Sequence, residues 1–373
     1  MGHLLRVYGL VLGIASLTGT LAQVCTSSSR SYHISSQDQL DVLAQNCTVI
    51  DSPFYVQSNY MGSSFVLHNV TNISQSLNFE WSDTSPRSPL SIEFPDLIRA
   101  KSIFLSHVSS LTKLSLPKLE YTDYFSMSGP WEMPDLEFPS LRNTSAIRLQ
   151  GNISRVSFPA LKTVHGDLLI DNAIDPFMRM KPNTTTVDLS LPVLEKAYNI
   201  EVRGKVANMS APELTAVNSP KADLGKLTLD LQGDAKALSL PKLSSVGGMI
   251  DISGNLSSLS LPSLRTLPPY FTIWPRAPLD IELPVESGER IEIGGAVKSV
   301  SLPNLRNFTH IDVGSTTGIN CDSLIRDLKE NVTAAGGDED GRMICHSAAG
   351  VLRALGAQAV LAIAVVITWV EFF

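Results

Sequence analysis

Five carboxylates recur at one place in a repeated phrase of this 373-residue chain: Glu201, Asp230, Asp251, Glu292 and Asp312. Each stands between two apolar residues of an h-x-h-x-Gly phrase or a close variant, as in Ile200-Glu-Val202-Arg-Gly204 and Ile250-Asp-Ile252-Ser-Gly254. Alternation of period two marks a short strand with one buried face, so the middle residue points outward. Stacked in that register, the strands give a column Arg148, Leu169, Glu201, Asp230, Asp251, Glu292 and Asp312, with carboxylates on five consecutive coils. Hard oxygen ligands in a row suit Ca²⁺ or a cationic partner. The plainer reading is a solvated acidic face that keeps the protein soluble and monomeric. Like charges across a strand pair oppose pairing, by on the order of 1 kcal/mol per contact at ~4 Å in water. Arg203 relieves only part of this.

Other chemistry is hard to assemble. The chain contains no G-x-S-x-G, H-E-x-x-H, Walker loop or C-x-x-C. Its seven histidines are scattered, and His165 and His310, at strand starts, read as surface or edge residues. Trp81, Trp131 and Trp274 fall in expected loops, where packing at the core edge competes with a carbohydrate platform; Trp274, beside Tyr270 and Phe271, is the best case for the platform. A polysaccharide-active enzyme would need clustered carboxylates with a His or Arg on adjacent coils, and only the Glu/Asp column approaches that. The expectation is therefore no enzyme and no cofactor. With 29 Lys+Arg against 36 Asp+Glu, the chain has no basic footprint for nucleic acid.

The elements that position these residues are repeats. A phrase h-x-h-Pro-x-Leu occurs at Pro117, Pro159, Pro192, Pro241, Pro262 and Pro303, with looser copies at Pro95, Pro139 and Pro212. The shortest steps, of 20 to 22 residues, are one coil of a solenoid, because each unit can bury its apolar face only against a neighbour. Each coil reads strand, corner, second short strand, Pro corner and buried Leu. Proline fits such a corner because it fixes φ and brings no N–H to satisfy. The expected fold is mainly β, a single right-handed parallel β-helix with short capping helices. The longer Pro intervals imply loop insertions near 174–186 and 267–289. Ser36-Gln-Asp-Gln39 resembles a capping box opening a helix with apolar Leu40, Val42 and Leu43. Asp322 is placed to cap a second helix carrying Leu324, Ile325 and Leu328.

The ends carry addresses. Residues 1–22 have a mildly basic start, a short apolar run and a small-residue cut site, as in a secretory signal peptide. Residues 347–373 combine small residues, a spacer and a terminal apolar tail, the pattern of a glycosylphosphatidylinositol (GPI) signal. Ser347 is the expected attachment residue, with Gly350 as rival and a short single-pass anchor as the competing reading. Ten sequons support export: Asn46, Asn69, Asn72, Asn143, Asn152, Asn183, Asn208, Asn255, Asn307 and Asn331. Asn152 and Asn255 share one place in their coils, as do Asn143 and Asn307. Cys25–Cys47 and Cys321–Cys345 are the natural local bridges in an oxidising compartment. Residues 23–60 then form an N-terminal cap, 61–314 the repeats and 315–346 a C-terminal cap.

These strands, Leu-Pro-x-Leu corners and capped helix before Cys47 resemble the receptor L-domain type of leucine-rich β-helix. Together with the anchor signal, the chain is similar to the fungal GPI-anchored cell-wall-organisation proteins related to yeast sporulation-specific protein 2. The likeness covers roughly residues 25 to 350 and departs from the family in lacking a long Ser/Thr-rich stalk after Cys345. It implies a non-enzymatic surface glycoprotein of the fungal wall, with membrane contact through lipid and wall polysaccharide or a protein ligand as candidate partners. A receptor-like binding module is the alternative.

Overall fold

A computed structural model describes residues 23–60, 62–80, 89–108, 111–128, 133–173, 185–218, 224–337 and 341–347. The signal-peptide and tail assignments, Gly350, Asn183, Trp81, Trp131 and most of the 174–186 insertion lie outside them. The described chain winds as one right-handed parallel β-solenoid of about 12 turns with two short helices.

One sheet runs the length of the rod. Its inner side carries two adjacent stacks of apolar residues, because inward positions repeat every second residue of each strand. The first stack runs Phe54, Leu77, Ile103, Phe125, Ile147, Leu168, Ile200, Leu227, Ile250, Phe271, Ile291 and Ile311, each paired with the next. All twelve are buried. Burying one such side chain is worth about 1.5–3 kcal/mol, so the stack is the main cohesive element.

The Pro phrases build the second wall. Strands such as Ile153–Ser157 and Val187–Ser190 pair in parallel and deliver the chain to the corner. There the residue after Pro-x donates its N–H to the carbonyl before proline: Leu119 to Leu116 (3.2 Å), Leu194 to Leu191 (3.3 Å), Leu243 to Leu240 (3.2 Å) and Leu305 to Leu302 (3.3 Å). Each corner is thus a β-turn with proline at its second position, where the ring pre-sets φ. The apolar residue before proline is held to the next coil, as Phe158 N–H to Ser190 O (3.0 Å) and Leu240 N–H to Ser260 O (3.0 Å).

The interval 262–303, expected to be a loop insertion, is a complete coil. Tyr270–Pro275 joins the long sheet and Leu279–Glu282 pairs with Val297–Ser301. Its corner, Leu283-Pro284-Val285, is one residue shorter than the others, so the buried Val285 replaces the usual Leu and the Leu-Pro-x-Leu phrase is lost. Ser64–Val66, though its Phe65-Val-Leu67 alternation resembles the main-strand phrase, starts the second wall, Phe65 pairing with Ile92. The main strand at that turn is Asn72–Glu80.

Two short helices are present, one near each end of the described solenoid. Helix α1 (Gln37–Asn46) buries Leu40 and Leu43 but leaves Val42 exposed. Ser36 makes no side-chain cap; Gln39 Oε1 accepts from the Ser35 N–H (2.8 Å), so the box closes one residue earlier. Helix α2 (Cys321–Ala334) is capped by Asn320, whose side chain accepts from Asp322 and Ser323 N–H, rather than by Asp322. Its buried stripe is Leu324, Leu328 and Val332, at i, i+4 and i+8, and Ile325 stays partly exposed. Disulfides Cys25–Cys47 and Cys321–Cys345 tie each helix to an outermost strand, closing loops of 22 and 24 residues. Loops of that size stabilise by about 3 kcal/mol each in the chain-entropy account.

Two turn glycines separate backbone strain from crowding. Gly233 and Gly254 both have positive φ (93° and 113°), which costs an L-residue about 1–2 kcal/mol. A Cβ on Gly254 would stand 2.0 Å from Leu231 O, whereas one on Gly233 meets nothing closer than 3.9 Å. Gly254→Ala is therefore expected to lower the melting temperature several times more than Gly233→Ala, read by circular dichroism.

Candidate functional site

The outer face of the long sheet presents side chains in columns, one position per coil. The middle column reads Arg148, Leu169, Glu201, Thr228, Asp251, Thr272, Glu292 and Asp312. Asp230 is not in it. Its strand is set two residues further along, so Asp230 follows Arg203 and precedes Ser253 and Trp274 in the next column. The expected run of five stacked carboxylates is thereby corrected: Thr228 and Thr272 interrupt it, and only Glu292 and Asp312 are neighbours. A two-residue slip keeps every apolar side chain facing inward, so the alternation around Leu227, Leu229 and Leu231 could not fix the register.

Several acids on this face are also matched by arginines. Arg203 pairs with Glu201 (2.6 Å), Arg148 with Asp167 (2.9 Å) and Arg276 with Asp230 (3.2 Å), and Arg290 Nε donates to Glu292 (2.6 Å). Asp230 also accepts from Gln232 Nε2 (2.8 Å) and Ser253 Oγ (3.3 Å). Exposed pairs of this kind contribute roughly 0–1 kcal/mol each; their larger effect is to cancel the like-charge repulsion. Hydrogen bonding from Asn199, reinforced by Arg148 against partial burial, holds the Asp167 carboxyl below its ordinary range. Asp251 behaves oppositely: burial first, then neighbouring Asp230, pushes its carboxyl up, against a smaller pull from Arg203. His165 is exposed and His310 half-buried on strands of this sheet. Among the described residues no group of three or more His, Cys, Asp or Glu could hold a metal ion.

A different feature stands out on the same face. Tyr270 and Trp274, on the strand Tyr270–Pro275, are 61 % and 53 % exposed. The indole lies against the backbone of the next coil. A Cβ on Gly294 would fall 2.2 to 2.6 Å from three atoms of its six-membered ring, and one on Gly295 3.2 Å from Cδ1 and 3.3 Å from Nε1. The glycine pair is thus a floor for one face of the ring. Trp274 thus lies on a strand rather than in the expected loop; the alternation Phe271-x-Ile273 marks that strand, but proline rather than glycine ends it.

The sequons occupy the rims. Asn143 and Asn307 are exposed first residues of main-sheet strands, and Asn72 opens its strand in the same column as Asn143. Asn152 and Asn255 each follow a glycine with positive φ, Gly151 and Gly254. Asn46, Asn69 and Asn208 are exposed, while Asn331 is half-buried on α2. Ser347 ends the last strand, opposite Ser315, and its hydroxyl accepts from the Ile319 N–H (3.1 Å). Among the described residues, no helix is long and apolar enough to cross a membrane.

In secreted protein, glycopeptide mapping is expected to find Asn143, Asn152, Asn255 and Asn307 occupied; empty sites at Asn143 and Asn307 would contradict their exposed placement. The raised Asp251 carboxyl gives a pH signature. Folding favours its neutral form, so its contribution is most favourable below the unfolded carboxylate range and is lost as pH rises through the folded value. Asp251→Asn should thus raise the melting temperature at pH 7 by a few degrees at most, and the gap should close at pH 3. A scan against protein-family models and searches of curated proteins and of solved structures find no match to this chain.

Proposed function

We propose that this protein is an exported, glycan-coated rod, tethered by a lipid anchor at its C-terminal end, that helps organise and stabilise the fungal cell wall. The observation that carries the reading is the closure of both ends of the solenoid by disulfides, Cys25–Cys47 and Cys321–Cys345. Such bonds persist in oxidising compartments outside the cytosol. The sequons at the rims of the coils, the leader-like residues 1–22 and the apolar tail after Ser347 support the same placement. On this reading the work is mechanical. A rod whose turns are all held by their neighbours keeps its length, and its sugars and face meet the surrounding polymer without bond-breaking chemistry.

A second reading, a module that binds polysaccharide, is favoured by the exposed Tyr270 and Trp274. It makes the rod a linker between membrane and wall rather than a spacer.

Fractionating cells that express an internally tagged chain tests the placement. Phosphatidylinositol-specific phospholipase should move the membrane-bound protein from the detergent to the aqueous phase, and glucanase should release any wall-linked share. A protein that stays in the cytosolic fraction, or that neither enzyme releases, would overturn the proposal. Cells lacking the chain should become hypersensitive to wall-binding dyes.

A further inference from the structure

We infer that the outer face of the strand Tyr270–Pro275 is a binding platform for a neutral oligosaccharide chain, with Trp274 and Tyr270 as its two stacking surfaces. The inference rests on the polysaccharide-binding reading above and locates it.

The indole carries the argument. It occupies the space that a Cβ on Gly294 would need and crowds the one a Cβ on Gly295 would need, so only glycine fits beside it, and about half of its residue surface, 53 %, is open. A core-edge tryptophan would turn its ring inward among the apolar stacks. This one sits beside side-chain-free backbone on the outer side of the sheet and is half exposed. An exposed, flat and already ordered indole binds at little entropic cost. Its natural complement is another flat surface with C–H groups on its face and hydroxyls around its rim, which is the shape of a pyranose ring.

Spacing sets the length of the ligand. Tyr270 and Trp274 are four residues apart on one strand, about 13 Å at the usual rise. That span exceeds one sugar ring, so the two aromatics engage different sugars of one chain lying along the strand and across the rod. Between them the outward position is Thr272, flanked on adjacent coils by Asp251 and Glu292. These supply hydroxyl and carboxylate partners for sugar hydroxyls at the centre of the platform.

Charge selects a neutral ligand. Around the aromatics Glu292 is matched by Arg290, and Asp230 by Arg276, leaving Asp251 as the one acid of the group without an arginine of its own. Its carboxyl is held up by burial and by Asp230, so even that charge is weakened. Neither a polyanion nor a polycation finds a complementary field here.

The test is a titration of the full chain, purified in detergent from a eukaryotic secretory host, with size-graded neutral oligosaccharides of glucose, mannose and N-acetylglucosamine. Tryptophan emission is the readout. At least one series should give a saturable shift that strengthens with chain length, while the free monosaccharide gives none. Trp274→Ala should weaken binding about tenfold or more and Tyr270→Ala severalfold. Trp274→Phe should restore part of the affinity. Melting curves of each variant are run alongside, and calorimetry replaces fluorescence for Trp274→Ala and Trp274→Phe. No response from any series, or unchanged affinity in folded Trp274→Ala, overturns the platform. So does a self-associated wild type that Trp274→Ala renders monomeric without any sugar binding, since the patch would then be a contact between copies. Because the titration uses purified protein, a platform that fails in a chain found at the cell surface removes only this inference. Binding by a chain found elsewhere removes only the proposed placement.

Discussion

The structure depends on hydrogen-bonded stacking of coils that cannot fold alone. One coil of about 20 residues has two short strands and a few apolar side chains, far too little to offset the entropy of ordering it. It gains a core only when its inward residues meet those of the turns above and below. The continuous inward stack from Phe54 to Ile311 is the consequence, and so is the need for something special at each end. The last turns have one neighbour only. Helices α1 and α2, each tied down by a disulfide, take the place of the missing coils.

The same constraint explains why the outer face is free to vary. Inward positions are fixed by packing, corners by proline and glycine geometry, and only every second residue of the long sheet is left to chemistry. That face could have carried a ladder of acids. Instead Thr228 and Thr272 fall between the acidic positions, and arginines two residues along the same strand (Arg203, Arg290) or two coils away (Arg276) pair with Glu201, Glu292 and Asp230. A parallel sheet with strands about 4.8 Å apart stacks like residues on like, so an uninterrupted acidic column would destabilise itself. Against this balanced background the exposed aromatics at Tyr270 and Trp274 are the exception in need of a reason.

Much of this was legible in the amino-acid order, and the failures share one cause. Six strong Pro phrases and the h-x-h pattern gave the coil length and the fold class, because proline corners and period-two alternation are local facts. The Cys pairs were legible from their spacing across each cap. The alternation does not, however, say which pair of apolar residues aligns with which. Leu227, Leu229 and Leu231 offer two registers that bury the same face, and the turn glycine at 233 pointed to the wrong one. Where the coil 270–283 drops one residue from its corner and ends its strand in Pro275, no phrase remained to find.

The sequence by itself thus determined that the chain must coil, how long a coil is, where proline and glycine turn it and which residues face inward. Those follow from backbone sterics and hydrophobic periodicity within a single turn. Only the tertiary structure decided which outward residues share a neighbourhood, since that depends on register between coils 20 or more residues apart. Asp230 left the acidic column, and Trp274 came to rest on Gly294 and Gly295, because hydrogen bonds between strands, rather than order along the chain, set those distances.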